Sequence, residues 1–128
     1  MSAAPVSAFE SRLERLRADL IAEEIDALLV TNLTNVRYLT GFTGTNAACI
    51  VAPEERLFFT DFRYVEQARE QVPDFEQLQA GHDMLDDVAK RLRGRAGFDD
   101  DHVSVSAHRK LAKKAPEGVE LVPAGGLV

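Results

Sequence analysis

The chain has 128 residues, 45% of them hydrophobic and 28% charged, which is enough to build one globular core without a disulfide or a metal. Its formal net charge of -6, with no basic stripe, argues against nucleic acid and against an anionic membrane surface as partners. The single cysteine, the lack of a signal-like start and the lack of an apolar run of ~20 residues together predict a cytoplasmic protein.

The first third of the chain predicts a helix, a strand and an irregular segment. Residues 1–6 are small and include a proline, which predicts a flexible tail. A helix is expected from Ser7, whose spacing to Glu10 fits a capping box. The continuous apolar run over 26–31 predicts a strand buried on both faces, and 32–45 is rich in turn formers with room for one helical turn. The apolar stripe expected along the helix consists of Phe9, Leu13, Leu16, Leu20 and Ile21.

The rest of the chain predicts alternating strands and helices. Residues 47–52 and 56–60 are expected to form a hairpin, because their connection is too short for a parallel crossover. This order predicts an α/β fold with a mixed sheet flanked by helices. The elements expected after the hairpin are a helix capped by Asp61, a strand over 75–80, a helix capped by Asp83, a strand over 96–99, a helix capped by Ser106 and a strand over 119–122.

Residues 124–128 follow the last predicted strand with the sequence Ala-Gly-Gly-Leu-Val. The two glycines favour the start of a linker to a further domain, and a C-terminal tail is the alternative. On this interpretation the globular domain spans 7–123.

The residues that most often carry chemistry all have ordinary explanations here. The acidic run over 99–102 is better explained by a hydrated turn than by a metal site, because successive side chains diverge. Asp83, Asp86 and Asp87 fall in the first turn of a helix, where carboxylates are favoured. Cys49 lies in an apolar strand and is expected to be a buried thiol. We therefore predict no catalytic residue and no metal ligand in this chain.

One segment, Asn35–Asn46, is less ordinary. Turn chemistry explains its glycines and asparagines, and core packing would explain Tyr38, Leu39 and Phe42. What remains is a polar loop on an aromatic base, made of Thr43, Gly44, Thr45 and Asn46. Loops on a rigid scaffold are where contacts with ligands or partners concentrate, which makes this loop the candidate binding element.

The same segment resembles the signature of the N-terminal domain of creatinases, prolidases and Xaa-Pro aminopeptidases, in which an asparagine precedes Tyr-Leu-Thr-Gly-Phe and a small polar loop. A strand-to-helix corner is similar as well, through Asp61, Arg63 and Tyr64. So are the leading helix with the strand after it and the closing stretch over 97–123. The residues of the signature in this sequence are Asn35, Tyr38, Leu39, Thr40, Gly41 and Phe42.

The resemblance implies a ribonuclease-H-like domain that precedes a catalytic domain, which holds two divalent metals (manganese, cobalt or zinc). It implies a metal-dependent hydrolase that acts on proline-containing peptides, with this domain supporting a homodimer and covering the active site. The loop over 43–46 would reach the cleft of the partner subunit, and its lack of an aromatic residue and an arginine speaks against creatine as substrate. Arg37 and Arg63 could bind a carboxylate, although a salt bridge is the favoured interpretation. A stand-alone binding or dimerisation module of the same fold is the alternative function.

Overall fold

The computed structural model describes residues 8–128, so the predicted tail over 1–6 and the predicted cap at Ser7 lie outside the described residues. A short 3₁₀ turn, Phe62–Tyr64, precedes the third helix. The helices of the described part are α1 (Ala8–Ala22), α2 (Leu33–Thr40), α3 (Val65–Gln71), α4 (Met84–Ala89) and α5 (Val105–Lys114). The strands are β1 (Ala27–Val30), β2 (Ala47–Ala52), β3 (Glu55–Thr60), β4 (Glu76–Gln79), β5 (Arg95–Phe98) and β6 (Glu120–Pro123).

The six strands form one mixed sheet in the order β4-β3-β2-β1-β5-β6. Strand β2 is antiparallel to both of its neighbours, and the other pairings are parallel. Ala52 pairs with Glu55, so β2 and β3 form the predicted hairpin with a two-residue turn. The predicted α/β fold with a mixed sheet flanked by helices is confirmed.

Helices cover both faces of the sheet, and alternate residues of each central strand enter different cores. Leu28 and Val30 of β1 point into the core beneath α1, α2 and α3. Ala27 and Leu29 of the same strand point into the core beneath α4 and α5. This double burial explains why β1 is apolar throughout instead of alternating. No helix among residues 8–128 is both long and apolar enough to span a membrane.

Helix α1 buries a narrower stripe than the sequence predicts. Leu13, Leu16 and Leu20 are buried at three- and four-residue spacing, as expected. Ile21 is 53% exposed, because it lies about 100° around the helix from Leu20 and faces solvent. Phe9, near the start of the helix, is also exposed in part and packs over the backbone of Gly41. The prediction that Phe9 and Ile21 join the buried stripe is therefore wrong.

Polar side chains determine where helices α4 and α5 begin. Asp83 caps α4 as predicted, accepting a hydrogen bond from the N–H of Leu85 at 3.1 Å. For α5 the predicted cap, Ser106, is wrong, since it lies within the first turn. Ser104 is the cap, because its hydroxyl accepts from the N–H of Ala107 at 3.0 Å. Two serines two residues apart fit the same apolar pattern, so the sequence does not distinguish them.

Candidate functional site

The signature segment forms a full helix instead of a single turn. The side chain of Asn32 accepts from the N–H of Thr34 at 2.9 Å and begins α2. Gly41 ends it with a φ of 81°, a left-handed conformation that suits glycine, and its N–H donates to Arg37 O at 2.8 Å. The expectation of a single helical turn is wrong, because it missed the pairing of a capping asparagine, Asn32, with a terminating glycine, Gly41, nine residues later.

The signature residues divide between core and surface. Leu39 and Thr40 are buried, and the Thr40 hydroxyl donates to the Val36 carbonyl at 2.7 Å. The same hydroxyl accepts from the N–H of Phe42 at 3.1 Å, which fixes how the chain leaves the helix. Asn35 is half-buried, and Tyr38 is 39% exposed on the outer side of α2. The helix therefore delivers Phe42 to the core and leaves Tyr38 on the surface.

The polar loop over 43–46 rests on an aromatic base, as the sequence suggests. The ring of Phe42 is buried and meets Phe58 edge-on at 4.9 Å between centroids and Tyr64 at 5.7 Å. Gly44 lies directly on this base, since a Cβ atom there would come within 2.3 Å of the Phe42 ring. Only a residue without a side chain fits, so the glycine is required by the close approach.

The first half of the loop is held by two glutamines of α3. The N–H of Thr43 donates to Gln71 Oε1 at 3.0 Å. The Thr43 hydroxyl in turn accepts from Gln67 Nε2 at 3.0 Å and from Gln71 Nε2 at 3.1 Å. Gln67 and Gln71 stand four residues apart and so share one face of the helix. These two residues were not predicted as part of the site. The sequence signal that could have predicted them is a pair of glutamines four residues apart in the helix that directly follows the strand-to-helix corner.

The second half of the loop is held by the strand-to-helix corner. Thr45 Oγ1 and the Tyr64 hydroxyl share a hydrogen bond of 2.6 Å, which lowers the pKa of Tyr64 from its ordinary value. Asn46 Nδ2 donates to Asp61 Oδ2 at 2.8 Å, and the Thr60 hydroxyl donates to the Asn46 carbonyl at 2.6 Å. The sequence-predicted loop residues and corner residues thus meet in one cluster.

Asp61 is the electrostatic centre of that corner. Both of its carboxylate oxygens accept from the Arg63 guanidinium, at 3.0 Å from Nε and 2.8 Å from a terminal nitrogen. Hydrogen bonds from Arg63 and then from Asn46 hold the pKa of Asp61 well below its usual range. For Arg63 the favoured interpretation as a salt-bridge residue is confirmed. Arg37 is exposed, and within residues 8–128 no ion pair engages it, so the favoured salt-bridge interpretation is wrong for this arginine.

The cluster is a preorganised surface, since its polar atoms mostly satisfy one another. Thr43 and Thr45 are exposed, and Phe62, which follows Asp61 in the chain, is 74% exposed. This combination can present hydroxyl groups and an aromatic face to a ligand or to another protein surface, because the loop needs little reordering on contact.

The acidic run over 99–102 is divided between core and solvent. Asp99 is 3% exposed, and its carboxylate accepts three hydrogen bonds of 2.8 Å, from Thr31 N, Thr31 Oγ1 and Asn32 N. The prediction of a hydrated turn is therefore wrong for Asp99, which ties the end of β5 to the start of α2. Asp100, Asp101 and His102 are exposed as expected.

The described residues do not fit a pair of catalytic metals. Within 8–128, no three histidine, cysteine, aspartate or glutamate side chains come together as a set that could hold a metal ion. Cys49 is completely buried in β2, and burial raises the pKa of its thiol. This agrees with the predicted structural thiol.

Comparison with known proteins assigns the family. The family model of the Creatinase/Prolidase N-terminal domain matches residues 12–128, and the chain belongs to this family. Its fold matches that of the N-terminal, creatinase/prolidase-like domain of a metallopeptidase-like protein from Corynebacterium diphtheriae, with a TM-score of 0.87 and 43% identity. That match covers 95% of this chain and 100% of the other.

Two longer relatives extend the comparison. The Xaa-Pro dipeptidase from Bacillus anthracis is 32% identical with a TM-score of 0.86, over 93% of this chain and 34% of the dipeptidase. The uncharacterized peptidase YqhT from Bacillus subtilis (strain 168) is 34% identical over 88% of this chain and 33% of YqhT. The chain thus spans about one third of the length of these relatives. The predicted family resemblance is confirmed.

Proposed function

We propose that this chain is the non-catalytic N-terminal domain of an Xaa-Pro dipeptidase or aminopeptidase, a hydrolase that cleaves the peptide bond before proline. The observation that carries the proposal is the match to the N-terminal domain family over nearly the whole chain. The similarity at 32% identity to about one third of an Xaa-Pro dipeptidase supports the same interpretation. The remaining two thirds would be a C-terminal catalytic domain.

The catalytic metals belong, on this proposal, to that further domain. They would be two divalent ions, manganese, cobalt or zinc, that activate water for attack on the peptide carbonyl. The described residues offer no suitable set of ligands, so no step of the reaction is assigned to them. A cytoplasmic location is part of the proposal, and its support is the single cysteine of the chain, which is buried and free of any disulfide.

The loop over 43–46 would form part of the substrate-facing surface of the assembled enzyme, reaching the cleft of the partner subunit in a homodimer. Its support is structural preorganisation. Thr43 is held by a hydrogen bond to Gln71 and Thr45 by one to Tyr64, and the lack of a side chain at Gly44 lets the loop lie directly on its aromatic base. Preorganised contacts cost little entropy when a peptide or a partner binds.

The role of the loop is tested in the parent protein by replacing Thr45 with valine, which keeps the shape and removes the hydroxyl. We expect KM for a proline-containing dipeptide to rise several-fold, with a smaller change in kcat, because binding and not chemistry is affected. Thr34→Val is the matched control, since Thr34 is exposed at the start of α2, outside the loop cluster. Equal kinetic constants for Thr45→Val, Thr34→Val and the unaltered protein would refute the assignment of the loop.

A further inference from the structure

The last five residues fold back onto the domain. The N–H of Ala124 donates to Phe98 O at 2.9 Å, and the N–H of Gly125 donates to Asp100 Oδ1 at 2.7 Å. Ala124 is buried over Gly97, where an added Cβ would come within 3.0 Å of the Ala124 Cβ. The chain therefore leaves β6 and crosses β5 toward the face of the sheet that α1 and α2 cover.

The chain end then lies beside a depression between α1 and α2. Leu127 and Val128 pack against the core on that face. They also line a depression of about 260 Å³ whose walls include Arg12 and Arg15 of α1 and Tyr38 of α2. A domain that follows Val128 in a longer protein would be connected to this one at the depression. Even with a short linker, that domain could contact the surface around the depression.

This surface combines positive charge with an exposed aromatic ring. The Arg12 guanidinium stacks over Tyr38 at 4.1 Å from the ring centroid and donates to the Tyr38 carbonyl at 2.8 Å. Arg15 forms no ion pair or hydrogen bond through its side chain within the described residues. Tyr38 is 39% exposed. Arginine and tyrosine are enriched in protein interfaces, and the planar arginine fork suits carboxylates. In a chain with a net charge of -6, this positive surface stands out.

We propose that Arg12, Arg15, Tyr38 and residues 126–128, together called the exit surface, dock the domain that follows this one in its parent protein. The docked domain would present carboxylate groups to the two arginines and apolar atoms to the tyrosine ring. The inference rests on the proposed function, in that a catalytic domain follows the chain. Three observations support it. Val128 lies at this surface, the longer relatives continue for about two thirds of their length beyond the matched part, and the surface offers two arginines and an exposed tyrosine ring without a carboxylate side chain among the residues that line the depression.

Hydroxyl-radical footprinting of the parent protein tests the exit surface, with oxidation of Tyr38 as the readout. Three forms are compared: the unaltered protein, Arg15→Glu and the control Arg109→Glu. Arg109 is exposed on α5, which packs on the opposite face of the sheet. We expect slow oxidation of Tyr38 in the unaltered protein and in the control, and a several-fold faster rate in Arg15→Glu, because the new carboxylate repels the acidic partner surface.

Equal and fast oxidation of Tyr38 in all three forms would overturn the inference. So would slow oxidation that becomes fast on dilution, since a second copy of the chain would then cover the surface. Xaa-Pro hydrolysis is measured on the same preparations and separates the two proposals. An active protein with an uncovered Tyr38 refutes only the exit surface, whereas a covered Tyr38 in a multidomain protein without Xaa-Pro hydrolysis supports the exit surface and refutes the proposed function.

Discussion

Replacing Asp99 with alanine is expected to destabilise the domain by about 3 kcal/mol. The carboxylate of Asp99 accepts from two backbone N–H groups, those of Thr31 and Asn32, and from the Thr31 hydroxyl. The hydroxyl can rotate to another partner, but the two N–H groups cannot. Leaving a buried donor unpaired costs about 1–3 kcal/mol, and the partial exposure of this corner favours the lower half of that range for each donor. Two such donors give the expected total.

Urea denaturation at neutral pH measures this loss. With a typical slope of about 2 kcal/mol per molar urea, the midpoint for Asp99→Ala falls by about 1.5 M. Asp99→Asn is expected to cost only about 1 kcal/mol, because the amide oxygen can accept from both N–H groups while its nitrogen donates to the hydroxyl. Asp101→Ala is the control, since Asp101 is exposed, and it should stay within about 0.5 kcal/mol. A midpoint for Asp99→Ala equal to that of the control would refute the reasoning.

Two further predictions concern the loop and its corner. Gly44→Ala should destabilise the domain by about 1–3 kcal/mol in the same urea assay, because the added methyl group would overlap the aromatic base. Gly81→Ala is the control and should be close to neutral, since an added Cβ there meets no atom nearer than 3.6 Å. Similar urea midpoints for the two variants would contradict the close approach at Gly44. Arg63→Ala should raise the pKa of Asp61 toward its ordinary value, followed by NMR of the carboxyl carbon. Since the folded pKa of Asp61 is depressed, its stabilising contribution is complete above the unfolded pKa of about 3.9 and is lost as pH falls through the folded value, so this variant should lose part of its acid sensitivity. An unchanged titration of Asp61 would show that Arg63 is not the main cause.

The elements that follow from periodicity were predictable. The apolar run of β1 and the hairpin of β2 and β3 are confirmed, because a continuous apolar run and a very short connection each allow few structures. The cap of α5 was misplaced from Ser104 to Ser106, because the choice depends on backbone angles that the pattern does not encode. Such errors of one or two residues leave the topology intact.

The cluster around the loop was predictable in part. The aromatic base and the polar loop follow from the spacing of Phe42, Gly44 and Thr45. Their contacts with Gln67 and Gln71 depend on how α3 is placed against the sheet, which is a long-range result of core packing. For the same reason, the burial of Asp99 could not be read from its exposed acidic neighbours. Its role becomes visible only when β5 lies next to β1 in the sheet.

The most direct test of the proposed function compares Xaa-Pro hydrolysis by the parent protein with hydrolysis by residues 1–128 alone, in the presence of manganese, cobalt or zinc. We predict that the parent protein cleaves a dipeptide ending in proline and that residues 1–128 do not, because no metal site is built from the described residues. Hydrolysis by residues 1–128, or a parent protein that cleaves no Xaa-Pro bond with any of the three metals, would contradict the assignment of this chain as the accessory domain of an Xaa-Pro peptidase.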